Sequence, residues 1–469
     1  MGYRVTVLEK NDRPGGRARQ FSCEGFHFDM GPSWYWMPDV FDRFFERFGH
    51  RTSDMYELHR LDPSYQVVFG EGDFFKVPAR MEALEQAFEE REPGAGARLR
   101  EFLRQAAYKY EVGVNDLVYR PSLSLTEFID VRLVKGLVQL DLLQSFRSHI
   151  RKFFQHPHLL KLAEFPVLFL GAVPQNTPAL YSLMNYADMG LGTWYPMGGM
   201  VRIVEAMTQI ALELGVEFRF NCEVEGFDFE QKRIHAVRCR DEQLPVDSVV
   251  GAADYHHIEQ HLLPPNKRVY SPQYWEKRVM APSSLLFYLG LNRKLVNLEH
   301  HNLFFDEALD QHADEIYKDP RWPSRPLFYA CVPSKTDPGV APEGCENVFL
   351  LMPTAPGLED NEATRERYFD LMIERLERLT GNPDLRSAIV YKRSYAHRDF
   401  EQDYHAFKGN AYGLANTLRQ TAILKPRMKT RKVKNLVFSG QLTVPGPGVP
   451  PSLISGEVAA GQVAKSFRS

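Results

Sequence analysis

Residues 3–9, Tyr-Arg-Val-Thr-Val-Leu-Glu, alternate with β-branched side chains and end in an acid, and Gly15, Gly16 and Arg17 follow six to eight residues after Glu9. That pattern predicts a strand running into a tight loop. In a dinucleotide-binding unit the acid at such a strand end holds the ribose hydroxyls of the adenosine half, and Glu suits a free 2′-hydroxyl where a 2′-phosphate calls for Arg. A solvated strand end reads the same way. Paired glycines let the backbone approach a pyrophosphate, and an Arg fork matches phosphate oxygens. A Gly-Gly turn with a surface Arg accounts for each residue singly but less well for their spacing.

A second glycine loop lies near the other end. Gly440, Gly446, Gly448 and Pro450 sit between a predicted strand over 436–439 and a helix starting near Ser452–Ser455. Backbone N–H groups at a helix N-terminus suit a phosphate or the negative edge of a reduced flavin; a Pro/Gly connector is the plainer reading. Between the loops, helical patterns cover roughly 80–110 and 125–165, with Pro121, Pro157 and Pro166 as breakers. LGTWYPMGGM (191–200) opens a helix over 200–214, and a meander of short strands (VEFRF, EVEGFDF, RIHAVRC, PVDSVVGAAD) follows. A region at 255–425 mixes strands (LLFYLGL, NVFLLMP) with a helix near 361–379. There is no repeat of solenoid period.

Composition narrows the class. The chain has 469 residues, 44% apolar and 25% charged, which fits two or three globular domains and excludes a disordered or collagen-like chain. A net charge of −3 gives no field that would draw it to nucleic acid. The five cysteines (Cys23, Cys222, Cys239, Cys331, Cys345) show no CxxC and no metal-ligand spacing, so core thiols in a reducing compartment are expected and no metal is. No signal peptide is read at the start, and no apolar run reaches the ~18 residues of a membrane span. Leu162–Val173 is the most apolar stretch and carries Glu164 and Pro166. Aromatics at 12% fit core packing or a large aromatic-lined ligand cavity.

The motifs NDRPGGRAR, GTWYPMGGM and PGPGVPPSLISGEVAA, in that order over nearly the whole chain, resemble those of the bacterial-type phytoene desaturases. These carotenoid desaturases belong to the FAD-dependent amine-oxidase-like superfamily. The resemblance implies an α/β fold: a Rossmann-like FAD-binding domain, truncated at its N-terminus, an interleaved α+β substrate domain and a helical, membrane-facing region. It divides the chain into 1–55 with 195–255 and 430–469 for FAD, 56–80 with 256–429 for substrate, and 81–194 as the helical part. It places Glu9 on the ribose and Gly15, Gly16 and Arg17 on the pyrophosphate. Gly31 would lie near the flavin, Val224 and Asp254 about the adenosine end, and Gly440, Gly448, Val449 and Pro450 along the isoalloxazine ring. Trp194, Tyr195, Met197, Gly198 and Gly199 would wall the substrate cavity.

The implied reaction is desaturation of an apolar polyene such as phytoene, with hydride passing to flavin N5 and a quinone or oxygen as final acceptor. The implied place is cytoplasmic, peripheral on the inner face of a membrane. Arg147, Arg151, Lys152 and Lys161, with Lys135, beside Phe153, Phe154, Phe165 and Phe169, form the candidate docking surface, or else a helix contact with a solvated rim. Two features depart from the family. Its opening strand and GxGxxG precede the ribose-binding acid by about 20 residues. Only eight residues precede Glu9 here, so the expectation is a truncated chain that binds FAD poorly, with Met1 an internal methionine of a longer protein. The family's catalytic carboxylate has no counterpart in Gln155–Lys161, so no proton-transfer residue is assigned, and His156 and His158 read as structural. Another flavoenzyme of the superfamily (an amine or protoporphyrinogen oxidase) and a non-catalytic carotenoid or lipid binder are the alternatives.

Overall fold

The computed structural model describes residues 2–124, 127, 144–170, 173–240, 242–417 and 419–468. Its largest element is a seven-stranded sheet in the order Ile389–Tyr395, Ser283–Leu291, Glu346–Thr354, Phe328–Cys331, His301–Phe304, Tyr65–Gly70, Asp73–Val77. Neighbours are antiparallel except His301–Phe304 and Tyr65–Gly70, which run parallel with Gln66 opposite Asn302. The run SSLLFYLGL is apolar at nearly every position because both sheet faces are covered, and all nine residues are buried. Side chains alternate across the strand. Leu285, Phe287 and Leu289 pack with Leu350, Met352 and the helix Glu362–Thr380, while Leu286 and Tyr288 face the main aromatic core. That helix opens on Asn361, whose side chain accepts the Thr364 N–H, and closes on Gly381 at φ 68°.

Shorter sheets frame the rest. Thr6–Leu8 pairs in parallel with Glu217–Arg219, and Val249–Gly251 pairs in parallel with Leu436–Phe438, as separate two-stranded sheets. The predicted meander is an antiparallel sheet of Val224–Glu230, Arg233–Cys239 and Glu242–Pro245. Its hairpin sets Cys239 opposite Val224, which brings Cys222 within 5.9 Å (Cα–Cα) of Cys239, and the two form a disulfide. The expectation of thiols throughout is thereby corrected. The 17-residue spacing carries no cue because the hairpin, not the local chain, makes the encounter. Cys23, Cys331 and Cys345 remain thiols.

The helical pattern over 80–110 divides into Met81–Arg91 and Ala95–Val112, broken at Pro93-Gly94, where Gly94 takes φ 79°. Of the predicted docking surface, Lys135 and the Phe169 side chain lie outside what is described. In the part that is described, the aromatics turn inward. Phe154 and Phe165 are buried in the main core, and Phe153 packs against it. Arg147 pairs with Glu164 and Asp310, and Lys161 donates to the backbone oxygens of Phe305 and Glu307. The alternative, a core contact with a solvated rim, describes these residues. Among the described residues no helix is long and apolar enough to cross a membrane.

Candidate functional site

Glu9 ends the first strand with its Oε1 accepting from Asn11 N (2.8 Å) and Asn11 Nδ2 (2.9 Å). Its backbone N–H donates to the Arg219 carbonyl and its carbonyl accepts from Cys222 N, both at 2.9 Å. The acid is therefore clamped to the strand end that leads into Val224. Asp254 is buried and accepts from His257 N (3.0 Å) and Phe407 N (3.2 Å). Burial pushes its carboxyl up, and the nearby Arg17 guanidinium opposes that. Asp254 thus ties the start of the turn at Tyr255–His257 to Phe407.

Gly15 and Gly16 take φ 110° and 52°. A Cβ on Gly15 would come 3.0 Å from Val204 on the helix Val201–Glu213, and one on Gly31 would strike the Arg17 carbonyl at 2.8 Å. Arg17 donates to the Asn410 carbonyl (3.2 Å) and lies 4.7 Å from the Tyr404 ring centre, yet its Nε is buried without a partner. A guanidinium N–H left unmatched in the interior is costly unless a ligand supplies an acceptor.

The C-terminal glycine loop closes over the first turn of the helix Val449–Arg468. Gly440 N donates to Ser455 Oγ (3.0 Å), which donates to the Val444 carbonyl (2.8 Å). Gly440, Gly446 and Gly448 take φ 105°, 142° and 117°, a region closed to most side chains. Residues 410–416 lie directly on this loop, since a Cβ on Gly413 would meet the Gln441 carbonyl at 2.8 Å. At Gly446 a Cβ would fall 2.6 Å from Lys425 Nζ and 3.1 Å from Asn416 Oδ1. Both of those atoms are buried without a hydrogen-bond partner, and burial pulls the Lys425 ammonium down to about 7. Val449 and Pro450 are half-buried, and Val449 packs against the cluster that includes Trp194 and Met200.

That contact joins the loop to the predicted wall. Trp194–Pro196 pairs with Leu58–Arg60, and Met197 N donates to the Glu57 carbonyl (2.9 Å). Tyr195 is buried 4.6 Å from the His300 ring, and Asp337 accepts from Gly198 N at 2.6 Å. Gly199 faces Asp29, which accepts from Met200 N (2.7 Å) and Val201 N (3.2 Å) and so caps the following helix. Burial raises Asp29 to about 6. A narrow cavity here is lined by Gln20, Asp29, Ser33, Tyr195, His300 and Cys331.

Two groups that sequence reading passed over stand out. Asp188 is 1% exposed, six residues before Trp194. Its Oδ2 accepts from Tyr65 OH (2.8 Å), and burial raises its carboxyl to about 7 against the opposing hydrogen bonds of Tyr65 and Thr193. Trp34 and Phe165 pack their rings 5.3 and 5.4 Å from Tyr65. His300, His301 and Cys331 bring ligand atoms within 4.8 Å of one another, the one such cluster among the described residues. The two imidazoles already use Nδ1 on the hydroxyls of Thr336 (2.8 Å) and Tyr329 (2.6 Å). His158, by contrast, stacks on Phe69 at 3.8 Å beside Asp73, as a structural histidine does.

An acid at a strand end, paired glycines, an open buried guanidinium and a second glycine loop with an open buried ammonium fit a flavin dinucleotide. The model of the flavin-containing amine oxidoreductase family matches residues 1–464. The chain is 42% identical over 460 residues to the carotenoid 3,4-desaturase of Haloarcula japonica, covering 98% of this chain and 93% of that one. It is 32% identical over 462 residues to the zeta-carotene-forming phytoene desaturase of Myxococcus xanthus, covering 97% and 88%. The solved cyclohexylamine oxidase of Brevibacterium oxydans shares the fold, with a TM-score of 0.57 at 14% identity over 100% of this chain and 95% of that one. The chain belongs to the flavin-containing amine oxidoreductases, and its cofactor is FAD.

Proposed function

We propose that this protein is a carotenoid desaturase, removing two hydrogens from adjacent carbons of a polyene chain. The observation that carries the reading is the match over 98% of the chain to a carotenoid 3,4-desaturase. The interior fits it: the wall presents Trp194, Tyr195 and Met197, next to an aromatic core that includes Trp36, Tyr65 and Phe165. A hydrocarbon offers nothing ionisable to grip, so affinity comes from buried apolar area at about 25 cal/mol per Å². Such a substrate dissolves in lipid, which supports a working position at a membrane surface.

Glu9 holds the ribose, Gly15, Gly16 and Arg17 hold the pyrophosphate, and the loop from Gly440 to Pro450 borders the ring. When bound, FAD supplies the two-electron acceptor for a hydride, and a quinone or oxygen later takes the electrons. The wall from Trp194 to Gly199 keeps water from the reacting carbons. One C–H bond yields the hydride; the neighbouring C–H must lose a proton as the double bond forms. Asp188 takes that proton on its carboxylate, which Tyr65 and Thr193 orient and burial poises near neutrality. His300 is the weaker candidate, since burial holds it down to about 3.

The test incubates the FAD-loaded protein with phytoene-loaded liposomes and reads product absorbance. Coloured polyene is expected, and its formation rate should rise with pH through about 7. Asp188→Asn should keep its flavin, lose roughly 10²–10⁴-fold in rate and lose that pH limb. Flavin bound with no product from any carotenoid precursor, but turnover of an amine, would overturn the reading in favour of an amine oxidase.

A further inference from the structure

Among the described residues no other lysine buries its ammonium without a partner as Lys425 does. The side chain is 2% exposed, no charged group offsets its burial, and Asn416 Oδ1 beside it is also unmatched. Both atoms converge on Gly446, where the absence of a Cβ leaves them facing the glycine loop. Arg17 closes the other end of the same strip, bonded to Asn410 at the start of the segment that carries Asn416. The strip therefore has a guanidinium with an open N–H at its pyrophosphate end and an ammonium with open N–H groups at its ring end. An ammonium drawn down to about 7 by burial is half-deprotonated in the FAD-free protein near neutral pH, and an acceptor set beside it would hold it charged.

We propose that Lys425 is a positioning residue for the cofactor, setting its ammonium against the N1–C2=O edge of the flavin ring and holding the reduced ring more tightly than the oxidised one. This rests on the assignment of the Gly440–Pro450 loop to the ring. Two-electron reduction places negative charge at that edge, so a fixed cation there raises the reduction potential and eases hydride removal from an unactivated hydrocarbon. Asn416 orients the ammonium, its carbonyl oxygen accepting one of the three N–H groups when the ring takes another.

The experiment compares wild type with Lys425→Met, Lys425→Gln and Lys425→Arg, each loaded with FAD, by bound-flavin content and by midpoint potential against reference dyes. The Met and Gln variants should keep flavin but lose at least tenfold in the preference for the reduced ring, about 30 mV for a two-electron couple. Lys425→Arg should restore most of it. Without FAD and below about pH 7, Lys425→Met should melt at or above wild type, because a buried charge with no partner has been removed. An unchanged potential in flavin-loaded Lys425→Met overturns the proposal. So does a variant that loses affinity for FAD and for ADP alike at unchanged potential, which would put Lys425 on the pyrophosphate. A wild-type chain that binds ADP but retains no flavin overturns the loop assignment itself, and the proposal with it.

Discussion

Every residue of Ser283–Leu291 is buried, whereas Thr6–Leu8 leaves Thr6 and Val7 exposed and Leu8 only half-covered. The long strand is clamped between the aromatic core and the helix Glu362–Thr380 and needs nothing beyond the chain. The short one rests on three residue pairs to Glu217–Arg219, while Arg17 in the following loop and Lys425 against the C-terminal glycine loop keep unmatched donors. One region is stabilised by hydrocarbon packing, while the other rests on a short backbone pairing and leaves buried donors open. On the proposed assignment of these loops to FAD, stability and cofactor affinity reside in different parts of the molecule and should respond to different substitutions.

Phe287→Ala strikes the packed region hardest. A large-to-small change at a fully buried ring should cost about 3–5 kcal/mol in urea unfolding, by the same amount with and without FAD. If FAD rescued it, the division between the regions would fail. A second effect is a slope. Asp188 is raised to about 7 from an unfolded value near 3.9, so the native state holds its proton more tightly. Its contribution to stability is complete below about pH 4 and is lost as pH rises through about 7; Asp188→Asn should flatten that fall in a pH series of melts.

Saturation with FAD at about a hundredfold its Kd should add about 2.7 kcal/mol. Amide exchange should slow most at 6–9, 217–224 and 436–451, whose local openings FAD suppresses, and at 283–291 by no more than that global increment; equal protection everywhere would erase the contrast. At the small end, Arg100→Ala removes an exposed pair with Glu85 (2.6 Å) and should cost under ~1 kcal/mol in the same unfolding assay, belonging to neither region.

The packed half was the more legible in the sequence. Continuous apolar runs located the strands around LLFYLGL and NVFLLMP, and a helical period near 361–379 located Glu362–Thr380 within a residue. The C-terminal helix begins at Val449, ahead of the predicted Ser452, because Pro450 and Pro451 fall in a first turn that needs no N–H from them. The glycines were readable because positive φ restricts residue type. Asp188, Lys425 and the Cys222–Cys239 bond were not. What marks them is burial, an unmatched atom or an encounter across a hairpin, and none of these leaves a local pattern.

The parallel pairing of Tyr65–Gly70 with His301–Phe304 has a consequence in time. Gln66 and Asn302, which face each other there, are 236 residues apart. At roughly 5–20 residues per second of synthesis, the Tyr65–Gly70 edge waits roughly 10–50 s for its neighbour. During that interval the ribosome displays an apolar strand, YQVVFG, with one edge open to any other chain. Yield in a cell should therefore follow how well that edge is shielded during translation, by a holding chaperone or by slower initiation, more closely than it follows the finished protein's melting temperature.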